Sequence, residues 1–138
     1  MSEAINNGGL EEKKEVTTAE HFEWFKNEAN YWLKRFGLYG WQVRFLHEDN
    51  DNTRDCRACI AYKMSSRLAV ITLAVSWDGE EIDVVNVRKS AFHEVCELLL
   101  ARVQHIAECR WAQPEEFQEA VHGVIRTLEN VVWEDMKV

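Results

Sequence analysis

Leu68-Ala69-Val70-Ile71-Thr72-Leu73-Ala74-Val75 is the stretch whose reading decides the fold. It is rich in β-forming residues and apolar on both faces, which places it inside a sheet or beneath a helix. The run is far too short to span a bilayer. Just upstream, Arg57 to Lys63 is a second β-rich run, and Met64 to Arg67 joins the two as a hairpin. Further back, Trp41, Val43 and Phe45 alternate with Gln42 and Arg44, so 41–47 reads as a strand with one buried face. Downstream, Trp77-Asp78-Gly79 breaks the pattern.

Helices flank these strands. Thr17-Thr18-Ala19-Glu20 supplies a capping box, a threonine followed three residues later by glutamate. Phe22, Phe25, Ala29, Trp32, Leu33 and Phe36 then recur at helical spacing, and Gly37 closes the helix. A second helical pattern runs from about Val84 to Cys109 on Val87, Ala91, Val95, Leu98, Leu99, Val103 and Ile106. Pro114 suits the first turn of a last helix, whose predicted buried face is Phe117, Val121, Val124, Leu128 and Val132. The expectation is an α+β fold: a helix, a three-stranded antiparallel sheet, then two helices. Residues 1–16 are polar and read as a flexible arm, and 17–138 as a single domain.

Composition narrows the function. The chain has 138 residues, 46% of them apolar, with 16 basic against 24 acidic side chains and a formal charge of −8. That balance repels a phosphate backbone, so no direct nucleic-acid ligand is expected. Arg54, Arg57, Lys63 and Arg67 fall close together, but Glu48, Asp49 and Asp51 precede them, and a mixed surface accounts for both. The polar opening shows no apolar leader core and nothing suggests a membrane, so the expected location is cytoplasmic. Free thiols are then expected at Cys56, Cys59, Cys96 and Cys109. Cys56 and Cys59 form a C-x-x-C, but Cys96 and Cys109 are too far apart to complete a zinc ribbon. The loop from Glu48 to Asp55 lacks the glycine and the final glutamate of a calcium loop.

His93-Glu94-Val95-Cys96-Glu97 is the one constellation with a chemistry of its own. His93 and Glu97 stand four residues apart on a helix, so both leave one face and can grip one ion. Glu94 projects about 100° away around the axis. Periodicity alone leaves a competing account open, in which Glu94, Glu97, Ala101, Gln104 and Glu108 form the wet stripe of an amphipathic helix.

Ala91-Phe92-His93-Glu94-Val95-Cys96-Glu97-Leu98-Leu99-Leu100 resembles the "A-x-H-E-x-x-H-L-L-L" helix of the small zincin-like metallopeptidases encoded by bacteriophages and related mobile elements. Phe36-Gly37-Leu38-Tyr39-Gly40-Trp41-Gln42-Val43, Ala69-Val70-Ile71-Thr72-Leu73 and Arg126-Thr127-Leu128-Glu129-Asn130 are similar to further stretches of that family, so the resemblance covers about 18–133. It implies a minimal zincin-like fold and a Zn2+-dependent hydrolase of protein or peptide substrates, with Glu94 as general base. One departure is plain: Glu97 stands where the family has its second histidine. His122 lies where relatives have an acidic residue on the last helix, so the implied ligand set is His93, Glu97 and His122. A catalytically inactive relative, binding a host protein as a counter-defence inhibitor, is the alternative. An enzyme calls for an open cleft beside His93. An inhibitor calls for an exposed aromatic patch around Trp77 or Trp111. A third reading, with carboxylates that imitate phosphates, rests on charge alone.

Overall fold

The computed structural model describes residues 15–135. Its elements are β1 (Glu15–Val16), α1 (Ala19–Arg35), β2 (Gln42–His47), β3 (Ala58–Lys63), β4 (Leu68–Leu73), β5 (Ser76–Trp77), α2 (Val84–Leu99), α3 (Ala101–Glu108) and α4 (Pro114–Asp135). The fold is α+β, with four helices and a three-stranded sheet of order β2-β4-β3. Among the described residues no helix is long and apolar enough to cross a membrane.

β4 takes the centre of the sheet, as a strand apolar on both faces should. β3 returns against it as the predicted antiparallel hairpin, with Ala58 opposite Leu73 and Lys63 opposite Leu68. β2 occupies the other side and is parallel to β4, with Gln42 beside Leu68 and His47 beside Leu73. The expected all-antiparallel sheet is therefore corrected to a mixed one. The reason is topological. β2 ends and β3 begins at the same end of the sheet, so the two run oppositely, and the strand between them can oppose only one.

Paired residues share a face, so Ala58, Ile60, Ala69, Ile71, Leu73, Val43 and Phe45 point the same way. Phe25, Ala29 and Leu33 of α1 and Val87, Ala91, Val95 and Leu98 of α2 join them in one core. The opposite face carries the exposed Gln42, Arg44, Leu46, Ala61 and Lys63.

The helix ends show local chemistry at work. At Gly37 (φ +66°) the chain turns left-handed, Leu38 N–H reaches Leu33 O at 2.9 Å and Gly37 N–H reaches Lys34 O at 3.0 Å. This pair of bonds is a Schellman closure. The N-cap is Thr18, one residue later than expected, and its box partner is His21, whose Nδ1 accepts from Thr18 N–H at 2.9 Å. Thr17 is recruited elsewhere: its buried hydroxyl donates to Ala74 O at 2.8 Å and lies 2.7 Å from His47 Nε2. His47 is thus half-buried and stacks on Phe22, and burial lowers its pKa despite nearby Asp49. Residues 1–14 of the predicted arm lie outside the described residues, while Glu15–Val16 pair antiparallel with Ser76–Trp77.

Two more expectations change. The helical run to Cys109 divides at Leu100 into α2 and α3. Trp77 is 1% exposed, the largest fully buried side chain, with its indole N–H on Arg57 O at 3.1 Å. It cannot belong to an exposed patch.

The closure at Gly37 yields a test. Alanine has open space there, its nearest neighbour being Tyr39 Cε2 at 4.0 Å, so the cost is the left-handed backbone alone. Gly37→Ala is expected to destabilise by about 1–2 kcal/mol, and Gly37→Asn by less, in urea melts. Equal stability of all three would exclude this origin.

Candidate metal and proton site

The site forms on α2 for a reason visible in its spacing. Asp83 caps the helix by accepting from Asn86 N–H at 2.8 Å. Val87, Ala91, Val95 and Leu98 then bury one stripe against the sheet and α1. Glu94 stands three residues after Ala91 and four before Leu98, which places it on that buried stripe. It is 5% exposed. Ala101, a second member of the supposed wet stripe, is also buried, so the amphipathic-surface account fails at both positions.

His93 and Glu97 sit at the exposed margin of the same helix, with Nε2 and Oε2 at 3.1 Å. One ligand atom from each of His93, Glu94 and Glu97 lies within 4.8 Å of the others. Burial, then the neighbouring charge of Glu97, then a hydrogen bond to Glu97 push the Glu94 carboxyl up to about 8. At neutral pH Glu94 therefore holds its proton.

The donor set fits a divalent ion. One imidazole nitrogen and two carboxylates are groups that could hold a metal ion, and donor atoms on a tetrahedral ion with 2.0–2.2 Å bonds are about 3.4 Å apart. The His93–Glu97 separation of 3.1 Å is close to that value. A cation arriving here would take the place of the proton on Glu94.

His122 is not brought into this group. It lies exposed on α4, with Nδ1 3.0 Å from Gln118 O one turn back on its own helix. Cys96 is half-buried against the core, and burial raises its thiol pKa, as expected of a packing residue. The four cysteines are free.

A cleft of about 380 Å3 opens beside His93 and Glu94 and is also lined by Cys56, Arg57, Ala58, Glu80, Lys89 and Ser90. Arg57 is held firmly: its Nε donates to Glu80 Oε1 at 2.8 Å and its guanidinium lies over Trp77, 5.4 Å from the ring centre. Ser90 Oγ donates to Asn86 O at 2.9 Å. The sequence reading gave Arg57, Lys89 and Glu80 no part in a site. Lys89 was findable, one turn before His93 on the same helix face. Arg57 and Glu80 come together only through the fold.

The pH dependence of stability tests the geometry. Folded Glu94 keeps its proton to about pH 8 while the unfolded group loses it near 4.5. Between those values the unfolded chain binds fewer protons, so metal-free protein should lose stability as pH rises from about 4.5 to 8, and no further above that. The slope is at most about 1.4 kcal/mol per pH unit for one proton. Glu94→Gln should flatten it and raise the melting temperature more at pH 8 than at pH 5. Parallel pH profiles for the two proteins would contradict the buried, protonated carboxyl.

Neither a protein-family model, nor a curated protein, nor a solved structure matches this chain. The functional reading therefore rests on this geometry and on the residues that form it.

Proposed function

We propose that this chain is a metal-dependent hydrolase of peptide bonds, zincin-like in its site, with a divalent cation held by His93 and Glu97 and with Glu94 as the proton carrier. The observation that carries the reading is the buried Glu94 carboxyl, grouped with Glu97 and His93 and opening on the same cleft as His93. A bound zinc would supply Lewis-acid polarisation and make water a competent nucleophile at neutral pH. Glu94 would accept the proton from that water and return it to the leaving amine. Its place on the cleft wall, one residue from His93, puts it within reach of such a water. Arg57 and Lys89 on the cleft wall would stabilise negative charge developing on the scissile carbonyl.

A peptide substrate suits the surroundings. Among the described residues β3 pairs only with β4, so its outer edge is open where Arg57 and Ala58 line the cleft. An extended peptide can lie along such an edge by main-chain hydrogen bonds. The inactive, protein-binding reading keeps one observation in its favour: Trp111 is 79% exposed, with Arg110 5.6 Å from its ring centre.

Two variants separate the readings. His93→Ala should abolish zinc uptake, measured by metal analysis, and with it the thermal stabilisation that added zinc gives the wild type. Glu94→Gln should retain zinc and fold yet lose peptide hydrolysis by a factor of ~100 or more. Wild-type protein that takes up no zinc, or full activity in Glu94→Gln, would leave the binding-module reading in its place.

A further inference from the structure

We infer that α4 is a self-association helix, and that its open apolar stripe docks antiparallel against the same stripe of a second copy of this chain. The periodicity of α4 calls for a buried face on Phe117, Val121, Val124, Leu128 and Val132. The fold does not supply it. α4 packs against α3 and meets α1 where Arg35 Nη2 donates to Val131 O at 3.1 Å. The side of α4 turned to the domain is Ala120, which is buried, with Val124, Thr127 and Val131 half-buried. Turned outward are Phe117, Ile125, Leu128, Val132 and Trp133, each between 40% and 61% exposed.

Two observations point to a second copy as the occupant. The first is register. In an antiparallel pair centred between Val124 and Ile125, Phe117 meets Val132 of the second copy and Val121 meets Leu128. These residues then each find an apolar residue across a two-fold axis, as a self-complementary interface requires, while Trp133 lies at the margin opposite Glu116. The second is area. A half-open side chain of this size leaves on the order of 80–150 Å2 of apolar surface in water, so the five leave roughly 500 Å2 per copy. The polar residues between them bring the patch near the ~800 Å2 per partner of a stable interface.

Charge acts against the pairing and so gives it a signature. Glu115, Glu116 and Glu119 at the start of one helix come beside Glu129 and Glu134 of the other. Apolar contact drives the association while like charges oppose it, so added salt should tighten it.

Light scattering on the full chain during size exclusion, from micromolar to the highest soluble concentration, tests this. The expected mass is twice the 16.2 kDa of one chain, with the dimer fraction rising as sodium chloride is added. Leu128→Glu and Val132→Glu, both at exposed positions, should each give monomer with an unchanged circular dichroism spectrum. Zinc uptake in these variants should match the wild type, so the result is independent of the proposed active site. A wild type that stays monomeric throughout, a dimer that weakens with salt, or a dimer that survives both folded variants would overturn the inference.

Discussion

Burial of β4 on both edges and on one whole face is the constraint from which the rest follows. Ala69, Ile71 and Leu73 are withdrawn from water beneath two helices, and β2 and β3 satisfy the strand's backbone groups on either side. Both helices must then offer apolar stripes to the same side of the sheet. That fixes the rotation of α2 about its axis through Val87, Ala91, Val95 and Leu98. Once the rotation is set, the position of every other residue on α2 is arithmetic: Glu94 falls inward and His93 and Glu97 fall at the margin. The site is a consequence of core packing.

The parts of this fold that were legible in the sequence are those with local causes. Gly37 closes α1 because only backbone freedom at that residue is needed, and Pro114 opens α4 because its missing N–H has no partner to lose. The Met64–Arg67 hairpin is likewise local. Where a second element intervenes, legibility fails. Two adjacent threonines compete to cap α1, and the choice is made by the Ala74 carbonyl, which claims the hydroxyl of Thr17. The direction of β2 depends on which side of β4 it takes, and an alternating pattern contains no information about that side. Trp77 looked suited to a surface patch until Arg57 covered it.

The candidate site was legible in one half. The four-residue spacing of His93 and Glu97 is a helical fact and survives unchanged. Glu94 was ambiguous because one carboxylate on a helix fits a wet stripe or a buried one, and only the packing partners decide. His122 was assigned from resemblance, without a spacing rule to support it, and the fold leaves it bonded to its own helix. Arg57 and Glu80 are 23 residues apart in the chain, and no periodic signal joins a strand start to a loop.

A buried carboxyl on a core stripe is an expensive choice in a small domain. An alanine or leucine at 94 would continue the run Ala91, Val95, Leu98 with no desolvation to offset. Burial and the neighbouring charge of Glu97 make Glu94 keep its proton, which ties the relief to one protonation state and leaves the site strained above it. A cation resolves the same conflict without a proton, because it neutralises both carboxylates and gives His93 a partner for its lone pair. The trio is thus a group whose buried carboxyl is eased by a proton and whose outer His93 and Glu97 are placed where they could hold a cation. A helix that only needed to be amphipathic would have no cause to keep such a cluster at the mouth of a cleft, and this is the strongest structural ground for reading it as a site.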